Sequence, residues 1–150
     1  MTLGTRQLFR LTLQVPSVLV VGPGPEAFRR VGVVGGGAFE GDRLNGEVLT
    51  GNDWQHVRAD HCTTVDVRLV LKTHDNALIE MSYRGLRHGA PAVMERLDRG
   101  EFVDPASYYF RISARFETSA GNYDWLNRVV AIGSGDRRPS GPIYHLFEVT

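Results

Sequence analysis

The sequence has 150 residues, of which 42% are hydrophobic and 23% are charged, and its formal net charge is zero. This length and composition predict one globular domain over residues 1–150, and the balanced charge argues against nucleic acid as a partner. Cys62 is the single cysteine, which excludes an internal disulfide framework. The chain shows neither a signal-peptide pattern nor a run of about eighteen apolar residues, which favours a cytoplasmic protein without a membrane partner.

In chain order, the first clear pattern is the alternation of apolar and polar residues in LFRLTLQV, residues 8–15. Such a period of two predicts a half-buried strand. Between residues 26 and 50, glycines interrupt short apolar groups, which is typical of short, strongly bent strands. TTVDVRLVLKT (63–73) alternates again, and ALIEMSYRG (77–85) follows after the turn HDN. These two segments predict a hairpin.

The second half continues this pattern with one interruption. PAVMERLDRG (91–100) has a proline at its start and a glycine at its end, which predicts a short helix. SYYFRISARFET (107–118) alternates as a strand, and a turn is predicted near NYDWLNRV (122–129). NRVVAIGSG (127–135) and IYHLFEVT (143–150) predict two last strands. Glycines and prolines predict an irregular connection between them over residues 134–142.

About eight strands and one short helix do not make an α/β protein. The regular spacing of the strands and the seventeen glycines predict a mainly β fold, either an antiparallel barrel or a sandwich. Closure into a single antiparallel barrel is favoured because it removes exposed strand edges.

Two short motifs do not carry the function that they suggest. Gly22 and Gly24 form a G-x-G pattern after an apolar run, as in dinucleotide-binding proteins. Pro23 and Pro25 lack N–H donors, however, and no helix is predicted to follow them. The five histidines show no recognised metal-ligand spacing, so neither a metal nor another cofactor is predicted.

Charged residues follow one face of two predicted strands. Asp66 and Arg68 share one face, and Tyr109, Arg111 and Glu117 share another. Periodicity alone favours a solvated outer surface for both faces. The alternative is a polar lumen, in which carboxylates pair with arginines because an unpaired buried charge is too costly. Tyrosine beside arginine favours the lumen, since the pair offers a proton donor and an oxyanion clamp to a small ligand.

Aromatic residues mark a further segment, residues 122–128. Tyr123 and Trp125 stand at alternate positions, followed by Leu126 and Asn127. These aromatic side chains predict either a plug that closes the barrel or the aromatic wall of a ligand pocket, and the plug is favoured.

Several segments together resemble a known family. They are RRVGVVGGGAFEGDRLNGEVLTGNDW (29–54), TTVDVRLVLKTHDNALIEMSYRG (63–85), YYFRISARFET (108–118) and YDWLNRVVAIGSG (123–135). The sequence resembles an uncharacterised family of small bacterial and fungal proteins with a lipocalin-like, calycin-type antiparallel barrel. The resemblance implies this fold from residue 8 to residue 149. Through some members it also implies cofactor-free isomerase or cyclase activity that closes a ring by conjugate addition.

A first functional hypothesis combines this resemblance with the charged faces. It predicts a cofactor-free isomerase or cyclase, with conjugate-addition or lyase-like chemistry, that binds a small conjugated carbonyl compound of polyphenol or polyketide type in the barrel. Arg111 and Arg68 stabilise a developing enolate, and Tyr109 donates a proton. Asp66 or Glu117 orients the arginines or acts as the base.

The polar stretch GNDWQHVRADH (51–61) is predicted to form a loop at the mouth of this barrel. Asp53 caps the turn, Trp54 anchors it, and His56 is a spare acid or base. The predicted substrate-binding residues are Trp54, Asp53, His56, Tyr83, Tyr123, Trp125 and Asn127.

The alternative hypothesis is a non-catalytic barrel that carries a small hydrophobic or aromatic ligand unchanged. Its charged strand faces would form the outer surface. A homo-oligomer is a further prediction, which depends on an exposed apolar patch.

Overall fold

The computed structural model describes all 150 residues and contains ten strands, one α-helix and two 3₁₀ segments. The strands are β1 (Thr5–Gln14), β2 (Ser17–Pro23), β3 (Phe28–Val34), β4 (Gly36–Glu40), β5 (Asn45–Val57), β6 (Thr63–Thr73), β7 (Leu78–Gly89), β8 (Tyr108–Glu117), β9 (Ala131–Arg138) and β10 (Gly141–Val149). The helix α1 covers Pro91–Asp98, and the 3₁₀ segments cover Pro105–Ser107 and Gly121–Arg128.

The ten strands form a closed antiparallel barrel with eight strand positions. Strands β1 and β2 together occupy one position, with a bend at Pro16, and β3 and β4 occupy the next, with a bend at Gly35. The remaining strands form a meander from β5 to β10, which pairs with β1 and completes the ring. The predicted antiparallel barrel is therefore confirmed. Neither α1 nor the 3₁₀ segments have the length and hydropathy needed to cross a membrane.

Two predicted connections are wrong because their residues continue strands. Residues 51–57, predicted as a mouth loop, form the second half of β5 and pair with both β3 and β6. Residues 134–138 continue β9, and β10 begins at Gly141, so only Pro139 and Ser140 lie outside the two strands. The glycines of β9 are compatible with a strand because core side chains fill the space beside them, Phe110 at Gly135 and Ile112 with Leu146 at Gly133.

The interior of the barrel is filled by its own side chains. Every second residue of β6 and β8 is buried, as their alternation predicts. A cluster of 27 buried residues forms the core, with aromatic rings at Phe9, Phe39, Tyr83, Phe110 and Tyr144.

The two ends of the barrel differ in character. At one end, the segment Gly121–Arg128 closes the barrel with Tyr123 and Leu126, both buried. The opposite end lies beside α1, which follows β7 directly. We call the α1 side the polar end because it contains the buried charged side chains of the interior.

Candidate functional site

Three polar side chains point into the barrel at its polar end. Asp53 and Gln55 occupy inward positions of β5, and Arg87 occupies an inward position of β7. Their exposed fractions are 3%, 6% and 2%. Burying a charge costs free energy unless the charge is paired, so the burial of these three side chains calls for an explanation.

A chain of hydrogen bonds holds Asp53 in place. Asp98 of α1 accepts from Arg30 Nη2 at 3.2 Å, and Arg30 Nε donates to Gln55 Oε1 at 2.8 Å. Gln55 Nε2 then donates to Asp53 Oδ2 at 3.0 Å. Because arginine can only donate, it fixes the orientation of the Gln55 amide and directs its NH₂ group to Asp53.

The second oxygen of Asp53 remains free. Asp53 Oδ1 is buried and has no hydrogen-bond partner. Burial raises the pKa of Asp53 above its usual value, although the nearby charge of Arg87 and the hydrogen bond from Gln55 oppose this shift. A carboxyl group with a raised pKa and one free oxygen is suited to accept a proton and return it.

Arg87 lies near Asp53 but forms no salt bridge with it. Its guanidinium carbon lies 5.3 Å from the centroid of the Phe110 ring, and its Nε and Nη2 atoms are buried without partners. Burial, together with the charges of Arg137 and Arg30, lowers the pKa of Arg87 to about 10. Arg87 therefore remains positively charged at neutral pH.

Two tyrosines extend the cluster toward the core. The rings of Tyr83 and Tyr144 meet edge to face with 5.2 Å between centroids. Both hydroxyl groups are buried, and neither has a hydrogen-bond partner outside this pair of tyrosines. Burial and the charge of Asp53 raise the pKa of Tyr144, while burial, Tyr144 and Asp53 raise that of Tyr83. Both hydroxyls thus remain protonated and can donate a hydrogen bond.

A small cavity of about 60 Å³ borders these groups. Its buried lining includes Asp53, Arg87 and Tyr144, and its exposed rim includes Val18 and Pro139. The cavity can hold a few waters or a small polar group, whereas a ring system would remain at the rim.

Two of the predicted residues, Asp53 and Tyr83, belong to this cluster. Asp53 does not cap a turn, because it lies inside β5 opposite Gly32 and Val67. Tyr83 lies on β7 opposite Val67. Their predicted roles in substrate binding remain predictions.

The predicted catalytic residues do not line the lumen. Arg111, Tyr109 and Glu117 of β8, and Asp66 and Arg68 of β6, all project from the outer surface and are exposed. Their alternation with buried apolar residues requires this, since neighbours on a strand point to opposite faces. The lumen interpretation of these charged faces is therefore wrong.

Some of these residues nevertheless meet on the outside of the barrel. A groove of about 620 Å³ crosses the outer face of β5 to β8 and is lined by Trp54, His56, Asp66, Tyr109 and Arg111. The side chain of Trp54 is 46% exposed, and Arg84 Nε lies 3.4 Å from Asp66. These polar groups are hydrated, in contrast to the buried atoms of the polar end, so charge stabilisation is weaker here.

The three predicted residues of segment 121–128 lie at the end opposite the cluster. Tyr123 donates a hydrogen bond to Asp75 Oδ1 at 2.8 Å, and Asn127 Oδ1 accepts from the backbone N–H of Thr118. Trp125 is half-buried with the Arg43 guanidinium 4.2 Å from its ring centroid. Of the two interpretations left open, the structure favours the plug, and the predicted substrate contacts of these residues stay predictions.

Five residues of the cluster were missed from the sequence: Gln55, Arg87, Tyr144, Arg30 and Arg137. Gln55 lies in the stretch 51–61 that was predicted as a loop. The alternation through Ile79, Met81 and Tyr83 continues to Arg87, and it would have placed Arg87 inside had the strand been extended beyond Gly85. Tyr144 similarly alternates with Leu146. Arg30 and Arg137 had no such signal, because each lies in a segment that glycines or prolines make irregular in sequence.

Metal ligands do not gather anywhere in the chain. No three side chains among histidine, cysteine, aspartate and glutamate come together in a way that could hold a metal ion.

The chain is similar to known proteins over nearly its whole length. A family described as a protein of unknown function, DUF3237, matches residues 4–149. A UPF0311 protein of Rhodopseudomonas palustris is 32% identical over 149 residues, which cover 99% of this chain and 97% of that protein. A UPF0311 protein of Bradyrhizobium diazoefficiens is 30% identical over 149 residues, with the same coverage of 99% and 97%.

Solved structures agree with this relation. A conserved protein of unknown function from Rhodopseudomonas palustris has a TM-score of 0.96 at 31% identity, covering 100% of this chain and 99% of that chain. A beta-barrel like protein from Acinetobacter baumannii has a TM-score of 0.87 at 35% identity, with coverage of 100% and 98%.

A more distant structure is that of an enzyme from Penicillium herquei, with a TM-score of 0.77 at 18% identity and coverage of 100% and 96%. At this identity the likeness shows the fold alone. The family model, in contrast, matches residues 4–149, and relatives at 30% identity or more cover the same length. The chain therefore belongs to the DUF3237 family of β-barrel proteins.

Proposed function

We propose that this protein is a cofactor-free isomerase or cyclase that acts on a small conjugated carbonyl compound at the polar end of the barrel. The observation that carries the proposal is the set of buried, unpartnered polar atoms around one cavity, on Asp53, Arg87 and Tyr144. Buried polar atoms without partners are rare in folded proteins, and a catalytic role is one of the few explanations for them.

The proposed reaction is an intramolecular conjugate addition. Asp53 Oδ1 accepts the proton of a substrate hydroxyl, and the resulting oxygen attacks the carbon β to the carbonyl. A carbon–oxygen bond forms, and the electron pair of the double bond moves toward the carbonyl oxygen, which becomes an enolate. Asp53 then returns its proton to the α carbon, so the product is an isomer of the substrate.

The remaining buried groups stabilise the enolate. Tyr144 stays protonated and donates its hydroxyl hydrogen to the developing negative oxygen, and the charge of Arg87 lowers the energy of the same oxygen. Arg30 and Gln55 orient Asp53 and do not themselves contact the substrate. In this proposal, Arg87 stabilises the enolate in place of Arg111. Tyr144 replaces Tyr109 as the hydrogen donor, and Asp53 replaces Asp66 as the base.

The fold of the Penicillium herquei protein, described as an enzyme, is compatible with catalysis in such a barrel. It contributes nothing to the choice of substrate. The non-catalytic alternative uses the same cavity, so only turnover distinguishes the two.

A turnover assay tests the proposal. Native mass spectrometry of the freshly purified protein first identifies any small molecule that accompanies it, and 2′-hydroxychalcone serves as a model conjugated hydroxy-ketone. Ring closure is followed by the loss of absorbance of the conjugated system. Asp53→Asn removes the base and is expected to lower kcat by about a hundredfold or more. Tyr144→Phe removes an oxyanion donor and is expected to cost about a hundredfold.

Arg111→Ala distinguishes the polar end from the outer groove. If Arg111→Ala abolishes turnover while Asp53→Asn keeps the parental rate, the reaction belongs to the outer face and the proposed site is wrong. A co-purified ligand that is recovered unaltered after long incubation would favour the non-catalytic barrel.

A further inference from the structure

Arg87 presents one complete edge of its guanidinium group without a partner. Both Nε and Nη2 are buried and unbonded, and these two nitrogens carry the parallel N–H bonds of the side-on edge. This edge matches the two oxygens of a carboxylate and binds them with two hydrogen bonds. A single carbonyl oxygen would satisfy only one of the two donors.

The positive charge around the cavity exceeds the negative charge. Arg30, Arg87 and Arg137 converge there, and the pKa of both Arg87 and Arg137 is lowered by burial and by the neighbouring arginines. Asp98 is 51% exposed and compensates Arg30 at the surface, which leaves Asp53 as the buried carboxyl group. An anionic ligand would relieve the repulsion between arginines, whereas a neutral ligand would leave it in place.

The size of the cavity determines which part of a ligand enters it. A volume of about 60 Å³ admits a small planar head group to Arg87 but leaves a ring or chain outside. Val15, Val18 and Pro139 provide apolar surface at the rim for that part. Because Nε and Nη2 are shielded from solvent, entry requires a small shift of a rim side chain.

We propose that the ligand of the polar end carries a carboxylate group, which binds side-on to Nε and Nη2 of Arg87 while its apolar body rests on the rim. The inference rests on the proposed function only for the location of the site, and it narrows the substrate class to conjugated carbonyl compounds with a carboxylate. Tyr144 then remains available for the carbonyl oxygen.

Binding of trans-cinnamate and of cinnamamide to the full-length protein tests this proposal. The two probes share one conjugated skeleton and differ only in the head group, which is an anionic carboxylate in cinnamate and a neutral amide in cinnamamide. Isothermal titration calorimetry is expected to give an affinity about tenfold or more higher for cinnamate, because only cinnamate supplies two negative oxygens to the arginine edge. Arg87→Met should remove this preference, and Arg87→Lys should retain only part of it, because lysine keeps the charge but loses the fork.

Arg115→Met is the matched control, since Arg115 is exposed on the outer face of β8. Its preference for cinnamate should equal that of the wild type. If Arg87→Met does not fold, the Nε–H signal of Arg87 in a ¹H–¹⁵N NMR spectrum of the wild type provides the second readout, and cinnamate but not cinnamamide should shift it.

Three results would overturn the proposal: equal affinity for both probes, binding of neither, or a preference that survives in Arg87→Met. None of them depends on turnover. A protein that cyclises 2′-hydroxychalcone through Asp53 but binds both probes equally would keep the proposed function and lose the carboxylate. The opposite result, carboxylate binding through Arg87 without turnover, would leave a binding protein.

Discussion

The environment of Asp53, the proposed base, differs from that of an aspartate whose hydrogen bonds are all satisfied within the fold. Its carboxyl group is buried, and only one of its two oxygens is hydrogen-bonded. A structural aspartate such as Asp75 instead accepts hydrogen bonds from Thr73, Tyr123 and Asn122, which lower its pKa to about 2. Burial raises the pKa of Asp53, so ionisation of this residue opposes folding.

The stability of the protein should depend on pH through Asp53 in a defined direction. Below a pH of about 4, the carboxyl group is protonated in both states. As the pH rises toward the raised pKa of the folded protein, the unfolded chain releases its proton first, so the free energy of unfolding falls. Asp53→Asn removes this pH-dependent contribution to the free energy of unfolding. Urea unfolding between pH 4 and 8 should therefore show the wild type losing stability relative to the variant as the pH increases.

Asp75→Asn serves as a control of opposite sign. The pKa of Asp75 is lowered, so its contribution is present above about pH 4 and is lost as the pH falls toward 2. Parallel stability curves for the wild type and Asp53→Asn over pH 4 to 8 would contradict the burial of an ionisable Asp53.

Sequence patterns predicted residue positions better than residue environments. Alternation showed correctly that Asp66, Arg68 and Arg111 share faces opposite the apolar residues of their strands. Extending the alternation of β7 beyond Gly85 places Arg87 on the apolar face, but hydropathy predicts apolar side chains there and so argues against that extension. The buried arginine violates the pattern, and such local violations are expected at functional sites.

At the scale of the element, β9 shows how glycine allows a strand to face a large aromatic ring. Gly133 and Gly135 point into the barrel at positions where a side chain would collide with the core. A Cβ atom on Gly135 would lie 2.3 Å from Cδ1 of Phe110. The ring of Phe110 in turn supports the guanidinium group of Arg87. Gly135, which made this segment look irregular in sequence, therefore leaves the space in which Phe110 packs beside Arg87.

Gly135→Ala should destabilise the protein because the added methyl group overpacks the core against Phe110. The expected loss in the free energy of unfolding is about 1 to 3 kcal/mol, measured by urea denaturation. Gly121→Ala is the matched control, since no atom lies within 4 Å of its added Cβ. Equal stability of Gly135→Ala and Gly121→Ala would show that Phe110 can move freely, which would also weaken the support of Arg87.

The hairpins of the barrel were largely predictable, whereas its bends were not. β6 covers the predicted residues 63–73, and β7 begins one residue after the predicted start. β9 and β10 were predicted with a long connection, because the glycines and prolines of residues 134–142 are typical of turns although only Pro139 and Ser140 lie outside the two strands. The positions of these bends and connections are determined by pairing between strands that are distant in sequence. The periodicity of a single strand does not reveal that pairing.

For the molecule as a whole, closure of the barrel leaves β2 as an edge strand. β2 pairs with β3 on one side and with no strand on the other, and it carries four consecutive apolar residues that are 47% to 66% exposed, Val18, Leu19, Val20 and Val21. Closure was predicted to remove exposed edges, so this is a departure from the expectation. An apolar edge strand without a charge is a template for pairing with another chain.

We therefore expect concentration-dependent self-association through β2. Two copies can pair their β2 edges antiparallel about a twofold axis, because such an interface uses the same strand from both copies. Leu19→Lys should weaken this association because it brings two like charges close to the axis. Leu19 is paired with Val31, so the substitution leaves the strand partner of Arg30 at the polar end unchanged. Sedimentation velocity over a range of protein concentrations measures the effect.

Ile132→Lys separates edge pairing from general hydrophobicity. Ile132 is also an exposed apolar residue, 43% exposed, but it lies on β9, which is paired on both sides. If association depends on the free edge, Leu19→Lys shifts the protein toward monomer and Ile132→Lys does not. If both substitutions act equally, the interface is an apolar patch of the outer surface. If the self-association of Leu19→Lys equals that of the wild type, the β2 edge stays unpaired in solution.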